Sequence, residues 1–471
     1  MLNKQKALYA AISGIVGLAA TAAQAAIPGT DGTGSVLQYP YYSVNGGHDT
    51  YMSVVNSTAS TKAVKVRFLD GKNTREVLDF NLFLSPFDVW TAALVKNAAG
   101  GVTLKTTDES CTTPQIPAAG VDFRTFRFTE RDADGVIIDN SVARTTEGHI
   151  EIIEMGVVTN ADMIAATTHV NGVPGTSSTR NCGWLQGIYN GNTSVNAPFN
   201  TGLVAPTGGL FGSGALINVA AGTGYGYGAE AINAVFSAPI FTVPGSIFPN
   251  LSQADPTASF FQGANVFTAN YASGIDAVSV LSQASSLMNE WVTDASIGAG
   301  TDAVVTFPTK WAYTGACGVP ASSPFINSGF CANGAPEAIS VSAYDREERT
   351  SFATIDFSPL PASGSTSLPW EVNIITLDNS NVLGSSLKNN IKPPVGNSGW
   401  FKVSFNNNVN RVITSLPAAT RNGTACGTLR AVGLPVQGFV AQKYVNGNVA
   451  GVLSNYGANF PHRFERSVTC N

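Results

Sequence analysis

The chain has 471 residues, of which only 12% are charged, with 26 Lys and Arg against 31 Asp and Glu and a formal net charge of −5. Ordinary soluble domains carry about 25% charged residues, so polar surface here must come from Asn, Thr, Ser and exposed backbone. A mildly acidic chain without clustered Lys and Arg has nothing to neutralise a phosphate backbone, which argues against nucleic acid as a partner.

The start of the chain has the form of a secretory signal peptide. Lys4 and Lys6 make a basic start, Ala7 to Ala22 is an apolar run, and Ala23-Gln24-Ala25 is a small-x-small cleavage site. The run is short for a membrane span, and no later stretch reaches that length. Residues 1–25 are therefore expected to be removed, leaving an exported chain with no transmembrane span. Export leads to the periplasm, the cell surface or the medium.

Six cysteines suit that oxidising compartment: Cys111, Cys182, Cys317, Cys331, Cys426 and Cys470. Their number is compatible with many connectivities. Pairing between sequence neighbours is expected, giving Cys111–Cys182, Cys317–Cys331 and Cys426–Cys470. Each closed loop stabilises by about 3–4 kcal/mol in the chain-entropy view. With no Cys-x-x-Cys and no His at ligand spacing from a Cys, no zinc site is expected.

Residues 26–155 read as the N-terminal segment of a β-sandwich. Tyr39-Pro40-Tyr41-Tyr42 is either an exposed sugar-stacking platform or, as expected here, a set of rings covering one end of the sandwich. Asp49 to Val95 holds the densest apolar alternation. Val64, Val66 and Phe68 share one face, with Lys65 and Arg67 on the other; Phe80, Leu82 and Leu84 repeat the pattern opposite Asp79 and Asn81. Successive strand side chains point to opposite faces, so this predicts half-buried strands with one wet side. Asp70-Gly71 supplies a turn, Ser85-Pro86 a break, and Val89 to Leu94 another strand.

Asn97 to Gly120 reads as a loop and Val121 to Met155 as β again. Asp132-Ala133-Asp134-Gly135 resembles the first half of a calcium loop, but the place of its bidentate Glu falls on Ala143. Asp132 and Asp134 are thus a weak calcium candidate, and a hairpin turn is the expected structure. In His149 to Met155, Glu151 and Glu154 project to opposite strand faces and cannot flank one glycosidic bond. One is expected in solvent, the other paired with an arginine such as Arg144.

From residue 156 to 300 the alternation weakens, and an irregular, partly helical insertion is expected. Gly222 to Gly228 carries glycine at every second position, which matches neither a dinucleotide nor a phosphate-loop fingerprint; a loop leading to a short helix at Ala229 to Phe236 is predicted. Val278, Leu281, Ala284, Leu287-Met288 and Trp291 predict a second helix over Asp276 to Val292. Residues 301–471 return to strands: Ala303 to Phe307, Glu337 to Tyr344, Trp370 to Leu377, Gly399 to Phe405, Arg411 to Leu416 and Leu434 to Val445. Turns are expected at Asn406-Asn407-Asn408 and Asn446-Gly447. Asp345-Arg346-Glu347-Glu348-Arg349 is a charged knot, read as a mutually neutralised strand edge. The fold class is mainly β, an immunoglobulin-like or jelly-roll sandwich formed from the N- and C-terminal segments.

Several blocks resemble a group of exported Gram-negative bacterial proteins to which no function is assigned: Ala63–Leu84 (AVKVRFLDGKNTREVLDFNLFL) with Ser85 to Trp90, Gly148–Gly156 (GHIEIIEMG) and Val305–Lys310 (VTFPTK). The resemblance implies export and a β-rich build. It brings no catalytic residues.

Gly212-Ser213-Gly214 lacks the outer spacing of a nucleophile elbow, and no His-Glu-x-x-His occurs. His48, His149, His169 and His462 have no diagnostic partner nearby in sequence, although a triad assembled from distant residues stays open. The chain therefore reads as an exported, non-catalytic structural or interaction protein of the cell envelope or surface, needing no cofactor. Its partner would be a second copy of itself, an envelope component or a glycan. A secreted module binding glycan or a partner chain is the alternative, and a secreted hydrolase the second.

Overall fold

A computed structural model describes residues 25–170, 172–175, 181–190, 201–326, 329–349, 365–393, 396–405 and 408–471. The expected signal peptide lies outside them except for Ala25, as do Asn406 and Asn407. The fold is mainly β and sandwich-like, as the alternation predicts, with 50% strand and 9% helix.

Two antiparallel sheets form the N-terminal sandwich. In the first, Glu230–Asn233, Val36–Ser43, Glu147–Val158, Lys62–Asp70, Glu76–Leu84 and Cys111–Thr113 lie side by side. In the second the order is Thr223–Gly228, Leu210–Asn218, Asp49–Asn56, Val89–Lys96, Val102–Lys105 and Val121–Asp122. The period-2 residues of the first sheet, Val64, Val66, Phe68, Phe80 and Leu82, meet Met52, Val54, Trp90 and Leu94 of the second. Tyr39, Tyr41 and Tyr42 are fully buried in the same core.

The rear of the chain shares that interior. A third sheet runs Lys388–Ile391, Val372–Leu377, Gly300–Thr306, Gln437–Val449, Val452–Pro461. Its Val304, Ile374 and Phe439 join the N-terminal core, while Ala303, Val305, Ile375 and Val440 point into a second core. Both faces of its central strands, Val372–Leu377 and Gly300–Thr306, are therefore buried, as alternation of side chains along a strand allows. A fourth sheet, Ser365–Leu368, Glu337–Asp345, Ser398–Ser404, Ser286–Val292, Arg463–Glu465, encloses the second core with Ile339, Phe401, Leu287 and Trp291. Front and rear are stitched by specific contacts. The Tyr227 ring stacks on Phe439 at 4.8 Å, and Thr306 Oγ1 donates to the Pro40 carbonyl at 2.6 Å. The buried Glu147 carboxylate accepts from Tyr41 OH at 2.9 Å, Ser385 Oγ at 2.6 Å and Ser386 N at 2.8 Å.

The three disulfides join sequence neighbours as expected, Cys111–Cys182, Cys317–Cys331 and Cys426–Cys470. Several local expectations are corrected. Gly222 to Gly228 is not a loop: Thr223–Gly228 is a strand whose Tyr225 and Tyr227 face the core while its glycines face out. Ala229 to Phe236 is not a helix, because Glu230–Asn233 pairs with Val36–Gln38 and Ala234 turns left-handed at φ 56°. The helix expected over 276–292 spans Gly274–Ser282 and gives way to the strand Ser286–Val292, where Leu287, Asn289 and Trp291 are buried at period 2. Between residues 121 and 146 the only strand among the described elements is Val121–Asp122; the alternating Phe and Arg there lie outside the strands, with Phe126 and Arg127 in a turn. Asn446-Gly447 lies within a bulged strand, and the reversal falls at Ala450-Gly451, both with positive φ (53° and 86°), as a tight hairpin turn requires.

Candidate interaction surface and the buried ion-pair face

The face expected to be wet is closed. Lys65 and Arg67 are buried, and so is every residue of Lys62–Asp70. The stretch around Phe241–Val243 lies against Lys65 and Asn81, and helices Ala161–Thr167 and Cys182–Asn190, the second tied down by Cys111–Cys182, pack with Ala63, Phe83 and Met155 of the same sheet. Lys65 Nζ donates to the Val243 carbonyl at 3.2 Å and Asn81 Nδ2 to that of Thr242 at 2.8 Å.

The buried charges of this sheet and its neighbouring turns are paired. Lys62 pairs with Glu154 at 2.7 Å, Lys65 with Asp79 at 2.6 Å, and Arg67 with Glu151 at 2.7 Å and Glu76 at 3.0 Å. Arg144 pairs with Asp70 at 2.8 Å and Glu130 at 3.2 Å. Glu151 and Glu154 do sit on opposite faces, yet neither is in solvent and neither uses Arg144. Burial depresses the Lys65 ammonium, against the pull of Asp79. A buried charge persists only when paired and hydrogen-bonded, so these side chains are committed to structure.

The histidines are dispersed. His149 Nε2 lies 3.1 Å from Thr74 Oγ1, and burial together with the nearby Arg67 pulls its pKa down to about 3. His462 Nε2 bonds the Val304 carbonyl at 2.8 Å, and burial lowers its pKa to about 4. His48 holds the Asn45 carbonyl at 3.0 Å. His169 has partners that no sequence spacing indicated: Ser85 Oγ at 3.1 Å and Asp88 Oδ2 at 3.6 Å. Both contacts are to Nδ1. A proton relay needs the nucleophile on one ring nitrogen and the carboxylate on the other, so this cluster is not arranged as a triad.

Asp132 and Asp134 lie in a turn closed by Asp132 N to the Val136 carbonyl at 2.8 Å. The Asp132 carboxylate accepts from Ala133 N and that of Asp134 from Val136 N, at 2.9 and 3.1 Å. Asp132 also approaches Cys317 and Cys331, but those sulfurs are joined to each other and offer no thiolate. In the charged knot, Arg349 pairs with Asp345 at 2.6 Å and Glu347 at 3.2 Å.

The second sheet behaves differently. Its outer face is open and exposes Tyr51, Val89 and Phe211 by 43–47%. Between them lie small or hydroxylated residues: Ser53, Thr91, Ala93, Ser213 and Ala215, with Ser53 and Ser213 hydroxyls 3.2 Å apart. A shallow groove of about 540 Å³ crosses this face, and Lys105 is the sole formal charge in its lining. An open face with so few charges is equipped for burial against another surface.

No family model, curated protein or solved structure matches this chain. Among the described residues no helix is long and apolar enough to cross a membrane.

Proposed function

We propose that this is an exported, non-catalytic structural protein of the cell envelope or surface that packs against further copies of itself. The open outer face of the second sheet, whose groove holds Lys105 as its one formal charge among the described residues, carries the reading. Two copies meeting there bury Tyr51, Val89 and Phe211 and place few like charges opposite each other, so association needs little desolvation of ions. The charged side chains of the neighbouring sheet are spent in internal pairs, which leaves that face for packing rather than proton transfer. The test is fractionation of producing cells together with the native mass of the exported protein. Assemblies in the envelope or surface fraction support the reading; a monomer at all concentrations, or a cytoplasmic protein, refutes it.

A further inference from the structure

Two strands of the third sheet, Gln437–Val449 and Val452–Pro461, run on past their neighbour. Gly300–Thr306 stops pairing at Gly300, opposite Lys443. Beyond that point the two strands pair only with each other among the described residues, through Tyr444–Tyr456, Val445–Asn455, Asn448–Leu453 and Val449–Val452. The Ala450-Gly451 reversal at the end is exposed, and the space where a side chain would stand at Gly447 or Gly451 is open to 4 Å. A lone two-stranded hairpin is marginal in water, so this arm is suited to a surface that covers it.

The end of the arm is aliphatic. Val449, Val452 and Leu453 are 54%, 65% and 49% exposed, and Val219, at 79%, stands in the adjoining turn. That turn is tied to the arm where Asn455 Nδ2 donates to the Ala221 carbonyl at 2.9 Å. Neither segment carries a charge: none lies between Lys443 and Arg463, nor between Arg180 and Glu230. The patch is made of two turn tips, so it is convex and calls for no matching protein cavity. Burying it removes apolar surface from water with no ion to desolvate.

Chemistry along the arm is graded with depth. Tyr444 and Tyr456 are cross-strand neighbours, and Tyr456 lies about 13 Å behind Val452 at ~3.3 Å per residue. Between the tyrosines and the tip stand Asn446, Asn448, Ser454 and Asn455, polar but uncharged. Aliphatic groups in front and tyrosines behind are the order that a lipid interface selects. We propose that the arm and the Val219 turn dock this protein on a lipid surface. Val219, Val449, Val452 and Leu453 enter the boundary of the acyl region, while the amides and tyrosines stay at headgroup level. Docking follows from apolar burial and not from lipid charge, and it does not rest on self-association through the second sheet.

The test is flotation of the full exported chain with phosphatidylcholine vesicles, with and without phosphatidylglycerol, at low and high salt. The chain should float with both compositions, and salt should change binding by less than about twofold. The double variant Val452→Asp, Leu453→Asp should weaken binding at least about tenfold. Both positions are exposed, so its circular dichroism should match the natural chain. Val219→Ser, in the separate turn, should weaken binding about threefold and keeps the test usable if the double variant disturbs the hairpin. A chain that is monomeric in solution and still floats supports this proposal while refuting self-association. No flotation of the natural chain overturns the proposal, as does flotation confined to anionic vesicles at low salt. Flotation that neither variant weakens overturns it too. A loss of native mass in the double variant without vesicles assigns the arm to a protein contact, and that result also overturns it.

Discussion

The outer faces of the two N-terminal sheets invert the usual distribution of charge. The first sheet directs Lys65, Arg67 and Glu151 outward from the sandwich core, and all three are buried. The second directs mostly Ser, Thr, Ala and a few apolar side chains outward, with Lys105 among them, and this face is open. Paired ionic residues therefore mark a buried face, and mostly neutral ones mark the face left open. Alternation within a strand says which residues share a face, but not which face receives a lid.

The comparison can be broken most severely at the covered face. Arg67→Met strands Glu151 and Glu76 without their cation, and a buried pair broken on one side costs about 3–5 kcal/mol. Urea unfolding should show that loss, whereas Lys105→Met on the open face should change stability by less than about 0.5 kcal/mol. A similar cost for both would erase the distinction.

The lid itself is the next largest effect. Cys111–Cys182 spans 71 positions, for which chain entropy gives about 4 kcal/mol. The double Cys111→Ala, Cys182→Ala variant should lose stability of that order. Protease sensitivity should then appear first around the Ala161–Thr167 helix while the second sheet stays protected. Simultaneous cleavage of both sheets would argue that the lid is not a separate layer.

A pH titration sharpens the same contrast. His149 binds its proton at about 3 in the folded state, against about 6.5 in an unfolded chain. The unfolded state thus holds more protons below pH 6.5, so stability present above that value is lost as pH falls towards 3. His462, lowered to about 4, acts in the same direction. Together they should remove a few kcal/mol between pH 6.5 and 4, and His149→Gln should flatten the slope. An unchanged slope in that variant would show that His149 does not titrate across folding.

Much of the fold was legible in the residues. Val64, Val66 and Phe68 announced their strand, and the even number of cysteines announced disulfides, with neighbour pairing expected among many connectivities and found. The Tyr225 and Tyr227 alternation was also present, but the intervening glycines masked it as a loop signal. The helix over 274–282 was visible, and its end was not, because Leu287 and Trp291 fit a helical stripe and a strand equally well. The burial of Lys65 and Arg67 could not be read, since their carboxylate partners sit up to 84 positions away. Ser85, His169 and Asp88 met for the same reason unannounced.

The smallest expected change in stability tests the central claim most directly. Ala93→Glu and Ser213→Glu place charges on the open sheet face and should alter folding by no more than about 0.5 kcal/mol. Sedimentation velocity of the exported protein should show assemblies for the natural chain and a monomer for the double variant. Assemblies of unchanged size in the double variant would contradict the account.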